Sequence, residues 1–330
     1  MKFVLSGVKP TGIPTLGNYL GALKNFVKLQ NEMKEYEFLI FVADLHAITV
    51  AQDPEELKKN IRNVAALYLA CGLNTDNLTL FIQSEVHEHA EMGYIMQTLA
   101  YMGELERMTQ YKDKMQKQVQ GVTSALFTYP ALMAGDILLY NANYVPVGDD
   151  QMQHLEITRD LAERFNNRYG QTFVIPEGLV SKTGSRIMDL QNPTKKMDKS
   201  AEVEKGCIFL LEPTASIKKK IKAAVTDNEA KVYFNKETKP GISNLMTIYS
   251  VITDMSFEEI EAKYEGKGYG DFKKDLAEIV ATEIEKVQTG YNKWISSPEL
   301  DQLLDEGKAR ASMFARHQLQ KIYHKIGLGR

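Results

Sequence analysis

Two groups of residues in this sequence are placed where chemistry is done. The first is a loop near the start, Ser6-Gly7-Val8-Lys9-Pro10-Thr11-Gly12-Ile13-Pro14-Thr15-Leu16-Gly17-Asn18. It lies between an apolar run, Phe3-Val4-Leu5, and a stretch with apolar side chains at helical spacing, Leu20, Leu23, Phe26 and Val27. A strand, a Gly/Pro-rich turn and a helix N-terminus together hold anions well, because unpaired N–H groups and the helix dipole point the same way. Thr15 and Asn18 add neutral side-chain donors, and Gly17 lets the backbone come close to a ligand. The glycines follow the order of neither a Walker loop nor a GxGxxG turn, and an ordinary strand–helix turn fits the same residues. The second group centres on Asp136, inside the apolar stretch Tyr129-Pro130-Ala131-Leu132-Met133-Ala134-Gly135-Asp136-Ile137-Leu138-Leu139-Tyr140, read as a helix with Pro130 in its first turn. A carboxylate there is costly to bury without partners. Helical spacing puts Tyr129, Met133 and Asp136 on one face, an apolar wall with one acceptor and one hydroxyl. A salt bridge to a distant Arg or Lys accounts for the acid equally well.

The elements that must position these groups are legible. Phe38 to Ala43 reads as a fully buried and hence parallel strand, ending in Asp44-Leu45-His46. Leu78 to Gln83 reads as another, and Tyr144 to Val147 as a short one leading into Gly148-Asp149-Asp150-Gln151 and a helix to about Asn166. Between the first two, Asp53-Pro54-Glu55-Glu56 starts a helix that carries Leu57, Ile61, Val64, Ala65, Tyr68 and Leu69 on one face and ends near Gly72. Alternating strands and helices predict an α/β, doubly wound parallel sheet with right-handed crossovers. Ligands bind such sheets just past the carboxyl ends of the strands. Asp150 at such an end suits a ribose hydroxyl, and Asp149 suits an N-cap. Residues 85–115 read as helical and Met-rich. Residues 176–205 read as a long mobile loop at a domain boundary. After Gly206 the chain reads as mostly helical, closing with a helix over residues 300–326 whose acids come first and bases last.

Composition narrows the class. The 330 residues carry a formal net charge of -3, so no global basic field advertises nucleic acid, although a local patch can still carry phosphate contacts. The run Ile217-Lys218-Lys219-Lys220-Ile221-Lys222 reads as a solvated helix face, with Ile217, Ile221 and Val225 inward, and is also a candidate phosphate contact. Cys71 and Cys207 stand alone, which argues against a disulfide framework and against zinc or iron–sulfur sites. No apolar run approaches the ~20 residues of a membrane span, and the start is too short for a signal peptide. The expectation is a cytoplasmic protein.

Three motifs then act together. Thr15-Leu16-Gly17-Asn18 resembles the HIGH element of class I aminoacyl-tRNA synthetases, in the Thr-x-Gly-Asn form of the tryptophan enzymes. Lys196-Met197-Asp198-Lys199-Ser200 resembles their KMSKS loop, and Gly148-Asp149-Asp150-Gln151 is similar to their Gly-x-Asp-Gln element. The resemblance runs from the first residues to the final Gly327-Leu328-Gly329-Arg330. It implies a Rossmann-like catalytic domain over residues 1–190 with a helical dimer-interface region at about 85–140. A KMDKS loop would follow over 191–205, then a helical domain over 206–330 that binds the tRNA anticodon, its last helix packing back on the catalytic domain. It implies activation of tryptophan by ATP with Mg2+, transfer to tRNA(Trp), and a homodimer with neither a membrane nor a DNA partner.

The resemblance also implies roles. Thr15, Asn18, Lys196 and Lys199 would be catalytic. Lys9, Pro10, Thr11, Gly17, Asn18, Gly148, Asp149, Asp150, Ile187 and Lys196 to Ser200 would bind ATP, Ile187 through its backbone, with no metal ligand from a protein side chain. Asp136 would accept the indole N–H of tryptophan and Met133 would pack on the ring. Tyr129 and Gln151 would lie near the amino group, with His46, Val145 and Val147 completing the pocket. Sites built on one such polar group reject analogues lacking it by roughly 10⁴–10⁵. Two flexible lysines suit an in-line displacement at the α-phosphorus, which is catalysed by positioning and by cations placed where charge builds up. Two residues depart from the pattern: Asp198 stands where KMSKS has Ser, and Lys9 where many relatives have Gln. These departures leave open a paralogue with impaired activation. A tyrosine enzyme of the same fold and a small-molecule nucleotidyltransferase with a HIGH-like loop each fit part of the same pattern.

Overall fold

The computed structural model describes residues 2–116, 121–148, 151–180, 186–198 and 204–330. Asp149, Asp150, Lys199 and Ser200 therefore lie outside the described residues. Five strands form one sheet: β1 (Phe3–Val8), β2 (Glu37–Val42), β3 (Leu78–Ile82), β4 (Tyr144–Val147) and β5 (Glu177–Val180). Their order is β3-β2-β1-β4-β5, and every pairing is parallel. The order reverses between β1 and β4, which makes the crevice past their carboxyl ends the switch point of the sheet. Lys9 leaves one side of it and Gly148 the other.

Around the sheet run α1 (Leu16–Asn18), α2 (Lys24–Glu32), α3 (Asp44–Ala47), α4 (Pro54–Ala70), α5 (Glu88–Gln97), α6 (Met102–Glu106), α7 (Thr109–Gln116), α8 (Ser124–Leu138) and α9 (Met152–Tyr169). After them come α10 (Thr214–Lys222), α11 (Pro240–Thr253), α12 (Phe257–Lys263), α13 (Tyr269–Ile295) and α14 (Pro298–Ile326). Side chains alternate across each strand. Val4, Phe38, Ile40, Val42 and Leu80 face one core, shared with α2, α4 and the helices after Gly206. Phe3, Leu5, Leu39, Phe41 and Phe81 face the other, shared with α5, α8, α9 and the second half of α14. None of the helices among the described residues is long and apolar enough to cross a membrane.

The Asp53 cap, the buried face of α4 and the extent of α14 match the expectation. Five features do not. Strand β5 occupies part of the stretch read as loop. Pro130 is the seventh residue of α8 rather than part of its first turn, because the helix begins earlier, where Thr123 Oγ1 accepts from Leu126 N at 3.2 Å. The methionine stripe is split: Met92, Met96 and Met108 are core, whereas Met102 and Met115 are exposed. Val225, expected inward, is 45% exposed, since α10 ends at Lys222 and helical phase is lost. Lys220, expected on a solvated face, is buried; its Nζ donates to Cys207 O at 2.8 Å and pairs with Glu212.

Helix α14 returns to the sheet across β3. A Cβ on Gly307 would lie 1.8 Å from Leu80 O, so the helix backbone rests directly on the strand. Arg310 reaches the buried Glu37 of β2 at 2.9 Å, and Thr79 Oγ1 donates to the same carboxylate at 2.6 Å. Gly307→Ala is expected to lower stability by about 1–3 kcal/mol or more, because neither backbone can yield. Gly270→Ala, on α13 with no neighbour within 4 Å, is expected to gain about 0.5–1 kcal/mol from helix propensity. Urea midpoints of the two variants check both signs.

Candidate active site

The loop after β1 turns through Gly12, whose φ of +83° few other residues adopt. Thr15 then caps α1. Its Oγ1 accepts from Asn18 N at 3.1 Å, while Asn18 Oδ1 accepts from Thr15 N at 3.0 Å and from Thr15 Oγ1 at 3.1 Å. The Asn18 oxygen is thus spent inside the loop, and its Nδ2 is the end left for a ligand. After Asn18 the chain widens into a π-helical turn, Tyr19–Leu23, before α2; such turns recur at functional sites. The Tyr19 hydroxyl donates to Glu283 on α13 at 2.8 Å. Burial, helped by that carboxylate, raises the pKa of Tyr19 far above the ordinary phenol value.

The basic stretch far downstream folds against this loop. Leu16 N donates to Ile208 O at 2.8 Å and Leu210 N to Pro14 O at 3.0 Å, so Thr15 and Phe209 pair as an antiparallel bridge. The Lys220–Cys207 contact holds the start of that strand-like segment. Upstream, Met188 and Lys196 form a second bridge, with Met197 N donating to Ile187 O at 3.0 Å. Asn244 on α11 grips Met188 on both sides, accepting from its N at 2.8 Å and donating to its O at 2.9 Å. In this extended segment side chains alternate: Met197 is buried and Lys196 and Asp198 are exposed. Met197 packs on Gly17, where a Cβ would lie 3.3 Å from its own Cβ.

The second half of the site lies past β2 and β3. Asp136 is 1% exposed and hydrogen-bonded on both oxygens. Its Oδ2 is 2.7 Å from His46 Nε2, and its Oδ1 is 2.7 Å from Gln83 Nε2 and 2.6 Å from His89 Nδ1. The partners are therefore two imidazoles and an amide, with no Arg or Lys among them. Burial pushes the Asp136 pKa up, and the charge and hydrogen bonds of His46 and His89 more than reverse that, so the carboxyl stays below its ordinary value. Tyr129, on the same face of α8, donates to or accepts from His154 Nε2 at 2.7 Å and meets His46 edge-on with ring centroids 6.4 Å apart. Lys9 Nζ sits 5.6 Å from the Tyr129 ring centroid, which joins this half to the first loop.

The structure thus brings together Lys9, Tyr129, His46 and Asp136 as one group, and Thr15, Gly17, Asn18, Ile187 and Met197 as another. Pro10 and Val145 are buried; Met133, Val147 and Gln151 are half-buried; Thr11 and Gly148 are exposed. Gln151 N donates to Gly148 O at 2.9 Å. Sequence reading missed His89 and Gln83. Gln83 had a usable signal, a polar residue at the carboxyl end of a buried strand. His89 had none, being one His at the start of an amphipathic helix. Asn18→Asp keeps the acceptor that closes the Thr15 loop but replaces the amide donor by a negative charge. It is expected to leave thermal stability within about 0.5 kcal/mol while slowing the catalysed reaction by about 10²–10³. Unfolding curves and steady-state kinetics on the same preparation check both.

The profile of the tRNA synthetases class I (W and Y) matches residues 2–285. The tryptophan–tRNA ligase of Bacillus anthracis is 56% identical over 330 residues, covering 100% of this chain and 99% of that protein. The crystal structure of tryptophanyl-tRNA synthetase from Mycoplasma pneumoniae superposes with a TM-score of 0.90 at 39% identity, covering 100% of this chain and 98% of that one. That from Campylobacter jejuni, solved with ADP and tryptophan, superposes with a TM-score of 0.84 at 36% identity, covering 99% of this chain and 100% of that one.

Proposed function

The chain belongs to the class I tRNA synthetases of the W and Y family, and from that premise we propose how its residues divide the work. The activity is that of a tryptophan–tRNA ligase. Tryptophan and ATP give tryptophanyl-adenylate and pyrophosphate, and the amino acid then passes to tRNA with release of AMP. Neither a tyrosine enzyme nor an impaired paralogue is favoured.

One observation supports the assignment of the site. The buried carboxyl group of Asp136 is joined to Lys9 of the first loop through two side chains, His46 and Tyr129. In this reading Asp136 accepts the indole N–H, while His46, Met133, Val145 and Val147 enclose the ring. Tyr129 and Gln151 hold the amino end, leaving the carboxylate of tryptophan to attack the α-phosphorus. The Asn18 amide donates to a phosphate oxygen as a group that is neutral at every pH, and the buried Thr15, whose hydroxyl donates to Asn18 Oδ1, holds that amide in place. Lys9, Lys196 and Lys199 supply cations as charge moves onto pyrophosphate. Pro10, Thr11, Gly17, Ile187 and the segment Met197 to Ser200 frame the nucleotide, and Gly148, Asp149 and Asp150 its ribose. Among the described residues no cluster of His, Cys, Asp or Glu is arranged to hold a metal ion. We assign Mg2+ to the nucleotide phosphates, where magnesium commonly stays while keeping most of its waters.

The division of labour extends to the helices. In this reading residues 1–190 activate the amino acid, 191–205 carry the two lysines of the second motif, and 206–330 receive the anticodon arm in the cytoplasm. Lys219 and Lys222 are the exposed members of the α10 run and are the phosphate contacts in this scheme. The exposed Tyr94, Tyr101 and Met102, on or beside α5 and α6, are the face assigned to a second copy of the chain.

Pyrophosphate exchange into ATP, run with each of the twenty amino acids, is expected with tryptophan alone. Exchange with tyrosine would overturn the Asp136 assignment. Sedimentation is expected to give a dimer, and Tyr94→Glu with Met102→Lys to shift it to monomer. A wild-type monomer at micromolar concentration contradicts the assigned face.

A further inference from the structure

The two oxygens of Asp136 are not equivalent. His89 is wholly buried and uses both ring nitrogens inside the protein: Nδ1 is 2.6 Å from Asp136 Oδ1, and Nε2 is 2.8 Å from the Tyr140 hydroxyl. Gln83, also wholly buried, donates Nε2 to the same Oδ1 at 2.7 Å. Oδ1 thus has two donors, as many as its lone pairs accept, whereas Oδ2 has His46 at 2.7 Å. An ionised carboxylate offers about four acceptor positions. The fourth lies on Oδ2, the oxygen that His46 also contacts.

We propose that His89 and Gln83 are positioning residues for amino-acid selection: by occupying Oδ1 they fix the plane of the Asp136 carboxylate and present Oδ2 to the ring N–H of the substrate. The terminal torsion of Asp is soft and roughly two-fold, so a carboxylate without such donors rotates. A hydrogen bond weakens steeply once its angle falls toward about 120°, so rotation of the acceptor weakens the contact that distinguishes an N–H from an isostere. The fold provides for the His89 contact. Gly135, next to Asp136, meets Gly93, one turn beyond His89, so closely that a Cβ on Gly135 would lie 2.9 Å from Gly93 N. That approach brings α5 within reach of the carboxylate. Gln83 shows that the network is built for direction rather than for its own satisfaction. Its Oε1 is buried without a hydrogen-bond partner, a cost accepted while Nε2 is kept on Asp136.

The inference rests on Asp136 being the indole acceptor, and the test separates the two. Pyrophosphate exchange is measured with tryptophan and with β-(3-benzothienyl)alanine, whose ring sulfur replaces the N–H. The variants are His89→Leu, Gln83→Met, His89→Asn and Asp136→Asn, each checked for folding by thermal unfolding. His89→Leu and Gln83→Met are expected to raise KM for tryptophan about tenfold or more, the loss for one misaligned bond to a charged group. KM for ATP and for the sulfur analogue should not change, so discrimination falls by the same factor. His89→Asn, whose amide can stand in for Nδ1–H, should recover part of it. Discrimination at the wild-type value in Gln83→Met and in His89→Leu overturns the proposal, as does a parallel rise of KM for tryptophan, analogue and ATP. If His89→Leu does not fold, Gln83→Met and His89→Asn decide. Should Asp136→Asn also leave discrimination unchanged, the reading of Asp136 fails; should it abolish discrimination while the others do not, only the positioning role fails.

Discussion

A buried negative charge organises the carboxyl edge of this sheet. Asp136 on α8 is held by His46 from α3, Gln83 from just past β3 and His89 from the start of α5. Removing one partner of a buried ionic contact commonly costs about 3–5 kcal/mol, because the remaining charge is left uncompensated. The four elements are therefore locked together at one point past the strand ends. A second acid reinforces the same edge: Asp44 accepts from Ser84 N at 2.9 Å and pairs with the Ser84 hydroxyl, tying the end of β2 to the end of β3 again. The glycine contact between α5 and α8 is the packing counterpart, since no Cβ fits where the helices meet.

The loop after β1 is built differently. There the donors sit in a loop that closes on itself through the Thr15–Asn18 cap, and the loop is held in place by chain nearly two hundred residues downstream. The Thr15–Phe209 bridge, the Lys220 clamp on Cys207 and the Met197 contact with Gly17 make one unit of two motifs far apart in sequence. Asn244 and Glu283 connect that unit to α11 and α13. The helical layer thereby contacts the backbone that leads to Lys196 and the turn that follows Asn18. Lys9, over the ring of Tyr129, is where the two halves of the site meet.

Much of this was legible from local pattern. β1 to β4 announce themselves as apolar runs, α4 by its Asp53-Pro54 start and α14 by its charge order, because each depends on residues within a few positions. β5 escaped because it is four residues long, contains Gly178, follows Pro176 and gains its identity only by pairing with β4. The π turn after Asn18 has no periodic signature. Lys220 sat in a run that looks like a solvated face, and its burial follows from the segment folded over it rather than from α10. The methionines of α5 and α6 share one composition and two fates.

The sequence by itself determined the alternation of strand and helix, the motifs that mark the family, and the conspicuous acid in an apolar helix, since all of these are statements about neighbours along the chain. Only the tertiary structure decided what holds that acid. Its partners lie 47, 53 and 90 residues away in sequence. Side chains so far apart meet only after the sheet has set the strand ends side by side and two glycines have let α5 and α8 touch. Hydrogen bonds of that kind depend on distance and angle in the packed molecule, and residue type alone carries neither.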